Sequence, residues 1–88
     1  MKIFIVIETS VIGTDYNIMR TWTFKTRNEA VEKMEERKKH YIEMWSEGYR
    51  NSGRGYQVDD APGCFEIWDD GHYRDHRKTI EIHHSELN

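Results

Sequence analysis

TRNEAVEKMEERKKHYIEMWSEG, residues 26–48, is the stretch that sets the rest of the chain in order. Thr26-Arg27-Asn28-Glu29 fits a capping box, in which the Thr26 hydroxyl accepts from the Glu29 amide and the Glu29 side chain reaches back. From Arg27 to Glu47 there is no Pro or Gly, and Gly48 is placed as a left-handed stop, so a helix is predicted over about 27–47. Ala30, Val31, Met34, Tyr41, Met44 and Trp45 recur at helical spacing and define the face turned to a core. Lys38 fills the turn where a further apolar residue is expected. Its methylene stem can cover the core edge while the ammonium stays wet. Glu29/Lys33 and Glu35/Lys39 are i, i+4 pairs worth about 0.2–0.5 kcal/mol each, so the apolar stripe outweighs them.

On the N-terminal side of this helix, two segments alternate as strands. The first covers about 2–9, with room to extend to Ile12, and both its rows are apolar: Ile3, Ile5 and Ile7 on one side, Phe4 and Val6 on the other. Gly13-Thr14-Asp15 supplies turn chemistry. The return strand, about 16–25, places Ile18, Trp22 and Phe24 on a face interrupted by Arg20, and Met19, Thr21, Thr23 and Lys25 on the other. On the C-terminal side, residues 49–60 read as an irregular connection, and Asp60-Ala61-Pro62-Gly63 as a tight turn. A strand follows at about 64–69, with Phe65 and Ile67 opposed to Cys64, Glu66 and Trp68. A polar loop opened by Asp69-Asp70-Gly71 leads to a last strand at about 78–84, with Ile80 and Ile82 inward and Thr79, Glu81 and His83 outward. The expected fold is α+β: a single ββαββ domain over residues 1–88, whose four-stranded, mostly antiparallel sheet carries one helix packed on one face. One helix cannot cover both faces of a sheet, so either Phe4 and Val6 or the three isoleucines need another cover.

Composition bounds the function classes. Eighty-eight residues allow one domain with a thin core. Hydrophobic residues make up 36%, which with 12% aromatics marks a chain that folds despite 33% charged residues. A net charge of −3 argues against a dedicated nucleic-acid binder. The lone Cys64 rules out an internal disulfide and suits a reducing compartment, so a cytoplasmic protein is expected. The longest apolar run, Ile3 to Ile7, is far short of the ~20 residues of a membrane span, and no cleavage site follows it, so neither membrane nor signal peptide is expected. Glycine-rich phosphate loop, serine elbow and HExxH motif are all missing from the sequence. A sheet-plus-helix domain of this size also has little depth for a pocket, so no catalysis and no cofactor are expected.

Three constellations compete. The first is a protein-binding surface for a second copy or another protein, as in an adaptor or inhibitor, formed by a sheet face or edge. Its contact residues are Phe4, Val6, Met19, Trp68 and His83. The second is a basic helix end, Arg37, Lys38 and Lys39, joined to Arg50 and Arg54 in the Gly/Tyr-interleaved segment 48–56, which could engage a nucleic acid. The third is a metal site in the C-terminal hairpin from His72, His76 and Asp75. Its spacing suits a helix, whereas Gly71 favours a loop, and the adjacent His83 and His84 point to opposite faces of a strand. The first reading is the stronger expectation.

Overall fold

The structure is a computed structural model that describes residues 1–13, 16–49, 55–73 and 76–86. Among the described residues, five strands and one helix follow in the order β1 (Lys2–Ile12), β2 (Tyr16–Phe24), α1 (Arg27–Tyr49), β3 (Tyr56–Ala61), β4 (Cys64–Asp69) and β5 (His76–Glu86). The strands form one sheet in the order β2-β1-β5-β4-β3, antiparallel throughout. The α+β class and the single helix on an antiparallel sheet are as expected; the strand count is not.

The additional strand is β3, in the stretch read as an irregular connection. Its sequence YQVDDA does not alternate, because it forms a sheet edge with nearly every side chain exposed. Without a buried row it carries no period-2 signal. It pairs with β4 through the Pro62-Gly63 turn, where Gly63 takes φ 75°, a value open to glycine at no steric cost. The central strands are also longer than read. β5 pairs with β1 from Lys2↔Glu86 to Ile12↔His76, which draws His76 and Arg77 out of the expected loop. Eleven residues in each strand give a backbone ladder about 37 Å long.

The helix begins at the expected box. The Glu29 amide donates to the Thr26 hydroxyl at 3.2 Å, and that hydroxyl donates to Glu29 Oε1 at 2.9 Å. Its end differs. The helix runs through Gly48, which is not left-handed, and reaches Tyr49. Ser46 Oγ and the Tyr56 hydroxyl lie 2.6 Å apart, and Trp45 packs edge-on against Tyr56, so β3 holds the last turn in place. Ala30, Met34, Tyr41 and Trp45 are buried, while Val31 and Met44 flank the stripe and stay exposed. The ion pairs fall elsewhere than expected, as Lys33–Glu36 at 3.2 Å, Lys38–Glu35 at 2.9 Å and Lys39–Glu43 at 3.9 Å.

Register assigns every strand side chain to a face. Phe4, Val6, Glu8 and Ser10 of β1 stand level with Phe24, Trp22, Arg20 and Ile18 of β2, and with His84, Ile82, Ile80 and Lys78 of β5. With Phe65 and Ile67 of β4 this row set meets α1, and the core is Val6, Ala30, Met34, Tyr41, Trp45, Phe65, Ile67 and Ile80. Burial of each large apolar side chain there contributes about 1.5–3 kcal/mol.

Candidate functional site

The face away from α1 carries the other row of every strand. Ile3, Ile5, Ile7, Thr9 and Val11 of β1 form its apolar column. Thr23, Thr21, Met19 and Asn17 of β2 pair with Ile5, Ile7, Thr9 and Val11. Ser85, His83, Glu81, Thr79 and Arg77 lie level with them on β5. Beyond β5 come Cys64, Glu66 and Trp68 of β4, then Ala61, Asp59 and Gln57 of β3. The face therefore has two halves. The β2–β1 half is aliphatic and hydroxyl-bearing; the β4–β3 half holds Glu66 and Asp59, with Glu81 at the boundary.

The acidic half is partly dressed by the chain itself. Tyr73, from the β4–β5 connection, packs edge-on to Trp68 with ring centroids 5.1 Å apart and donates to Glu66 Oε2 at 2.7 Å. Arg77 stacks on Tyr73 at 4.8 Å and donates to its carbonyl at 3.0 Å. The Glu66 hydrogen bond, with burial and the charge of Glu66, pushes the Tyr73 hydroxyl pKa up despite the nearby Arg77. Burial and the charges of Glu81, Glu66 and Asp59 push the Cys64 thiol up, so it is a poor nucleophile.

Of the expected contact residues, Met19, Trp68 and His83 stand on the open face. Met19 is 67% exposed, Trp68 is half-buried against Tyr73, and His83 Nε2 lies 2.7 Å from Glu81 Oε2. Phe4 and Val6 do not. They point toward α1, where Val6 is completely buried, so the isoleucine row is the one left over. Trp22 and Phe24 claim the same side of β2, and that pairing decides which row of β1 enters the core.

The basic helix end is largely consumed internally. Arg37 Nε and Nη2 donate to Glu8 Oε2 and Oε1 at 2.7 and 3.0 Å, the Tyr41 hydroxyl donates to Glu8 Oε1, and the guanidinium lies over the Trp22 and Tyr41 rings. Burial raises the pKa of Glu8, but the hydrogen bonds from Arg37 and Tyr41 and the charges of Arg37 and Arg20 outweigh it, leaving the carboxyl below its ordinary value. Burial and the adjacent Glu8 push the Tyr41 hydroxyl up, against a smaller opposing effect of Arg37 and Ser10, so it remains a donor. Lys38 bridges Glu35 and Asp60, each at 2.9 Å, with its ammonium over the Phe65 ring. Desolvation alone would lower its pKa, yet the two carboxylates raise it overall. A shallow, open groove of about 340 Å³ between α1 and β3 is lined by Glu35, Lys38, Lys39, Ile42, Glu43 and Asp60. Both of its lysines are already paired with its carboxylates. Lys39 is exposed, and Arg50 and Arg54 lie outside the described residues.

The histidines do not converge. His76 sits on the α1 side, with its ring 5.2 Å from Trp45 and Nδ1 3.7 Å from Asp69 Oδ2. His72 is exposed in a turn, and Asp75 lies outside the described residues. His84 faces α1 beside Phe4, opposite to His83. Among the described residues, no three His, Cys, Asp or Glu side chains are placed to hold a metal ion. No helix among them is long and apolar enough to cross a membrane.

Sequence reasoning missed Glu8, a buried carboxylate that is 2% exposed. The signal was present: an acid in the same parity as Phe4 and Val6, facing Arg37 and Tyr41 one turn apart on the helix stripe. Comparison with protein-family models, curated proteins and solved structures finds no match for this chain.

Proposed function

We propose that the protein is a small binding module that docks onto a protein surface through the β1–β2 half of its open sheet face, with no chemistry of its own. The observation that carries this reading is the row Ile3, Ile5 and Ile7. It stands on the face opposite the only described helix, in a strand flanked on both sides, bordered by Thr21, Thr23 and the exposed Met19. Contiguous apolar surface on a small domain is characteristic of interaction sites. The neutral β2–β1 half avoids the desolvation cost that charged groups impose on an interface centre. His83 borders the patch on β5, and Arg77, Trp68 and Tyr73 form a rim beyond it.

Nucleic-acid binding is the weaker reading, because Arg37 and Lys38 spend their charge on Glu8, Glu35 and Asp60. A reducing, cytoplasmic setting fits the single thiol on the open face. A photo-crosslinking side chain at Thr21 in living cells should trap protein adducts, whereas the same group at Glu36, on the outer helix surface, should trap few. Equal labelling from both positions, or labelling from Glu36 alone, overturns the reading.

A further inference from the structure

Resting on that reading, we infer that the occupant of the open face is a second copy of this chain, stacked sheet on sheet about a two-fold axis that runs along β1. Three features of the face support this occupant and this axis. First, the apolar column lies in β1, so an axis along it sets Ile5 and Ile7 of one copy against the same residues of the other. A two-fold interface requires such self-complementarity. Second, the charges are distributed unevenly about β1. Glu81, Glu66 and Asp59 all lie on the β5 side, with Arg77 there held by Tyr73, while the β2 side carries the uncharged Thr21, Thr23 and Met19. Rotation about β1 brings the hydroxyls of the partner's β2 over Glu81 and leaves Glu66 and Asp59 beyond the partner's edge, in water. Rotation about an in-plane axis across the strands would instead stack the two acid-bearing halves on each other. Third, Tyr73 rises over Trp68 and Glu66 and obstructs any sheet laid across β4. With the axis along β1 this ridge also falls outside the partner's β2.

Sheets packed in this way sit about 10 Å apart with strands roughly 30° off alignment. The footprint spans three strands, about 14 Å across and 30 Å long, or roughly 400 Å² from each copy. The two copies together bury roughly 800 Å², less than the ~1,200–2,000 Å² of stable interfaces, so the dimer is weak and exchanging.

Sedimentation of the intact chain from about 5 to 500 μM should show a monomer–dimer equilibrium that shifts with concentration. Met19→Glu, at a site too exposed to disturb folding, should weaken the dimer about tenfold or more, as should Ile5→Asp if it folds. The axis is tested with single cysteines in a Cys64→Ser background and a short bismaleimide, since the sheet separation is too wide for a disulfide. Ile5→Cys should link to itself, and Thr21→Cys should link to Glu81→Cys when the two are mixed. Self-linking of Thr21→Cys or Thr23→Cys overturns the proposed axis. A monomer at every concentration overturns the second copy. In that case crosslinks from Thr21 to other proteins would still uphold the binding face, so the two readings fail separately.

Discussion

The two rows of β1 alternate along one backbone and end in opposite environments. Phe4, Val6, Glu8 and Ser10 lie under α1; Ile3, Ile5, Ile7 and Val11 lie on the open face. The core row contains a carboxylate and a hydroxyl, and the open row is the more aliphatic of the two. Hydrophobicity along a strand therefore does not identify its buried side. Its partners decide it: Trp22 and Phe24 on β2, and the helix, which presents Arg37 and Tyr41 to the acid at position 8.

The largest expected effect contrasts one substitution on the two faces. Ile80→Ala, at a fully buried position against α1, should cost about 2–5 kcal/mol through lost burial and the cavity left behind. Ile5→Ala on the half-buried open face should cost less than about 1 kcal/mol in dilute protein, close to the usual range for surface changes. Urea unfolding of both variants measures the difference. Equal losses would mean that the open row is itself part of the monomer core.

Glu8 comes next. Glu8→Ala leaves Arg37 without its carboxylate inside the protein and should cost about 3 kcal/mol or more, as breaking a buried pair does. The double variant Glu8→Leu/Arg37→Met should recover most of that loss, because an apolar replacement removes both desolvation penalties. A double variant as unstable as the single one would show that the pair itself, and not the orphaned charge, sets the energy.

The same group gives the core a pH signature that the open face lacks. The folded pKa of Glu8 lies below its ordinary value of 4.5, so the unfolded chain binds the proton first. Its contribution is complete above about pH 4.5 and is lost as pH falls through the lower folded value. The urea midpoint of the natural chain should therefore drop more steeply between about pH 5 and 3 than that of Glu8→Leu/Arg37→Met. Parallel curves would mean that the carboxylate is not stabilised in the folded state. Ile5→Ala should leave the slope unchanged.

What could be read in advance follows the same division. The helix start was legible because Thr26 and Glu29 satisfy a local requirement, and β2, β4 and β5 because an apolar row on each turns toward the core, fully buried on β4 and partly on β2 and β5. The side chosen by β1 was not, since it depends on partners far along the chain: Trp22 and Phe24 on β2, and Arg37 on α1. The helix end was misplaced for a similar reason. Ser46 and Trp45 are held by Tyr56 of a strand that left no pattern, so Gly48 never has to terminate anything. At the candidate site, Met19, Trp68 and His83 fell on the open face because strand parity alone places them, whereas Tyr73, whose position depends on a loop, could not be foreseen.

The smallest effect concerns β3, the strand without a buried row. Its pair of acids hides it from sequence patterns and also protects it, since charge on a short edge strand discourages pairing with other chains. Asp60, itself exposed, accepts from the half-buried Lys38 at 2.9 Å, and a pair open to water on one side is worth about 0–1 kcal/mol. Asp60→Asn should therefore shift the urea midpoint only slightly, and less still in high salt, while Lys38 keeps Glu35. Asp59→Val with Asp60→Val should instead reveal itself as concentration-dependent light scattering. If that double variant stays as dispersed as the natural chain, the two acids are not what keeps this edge from pairing.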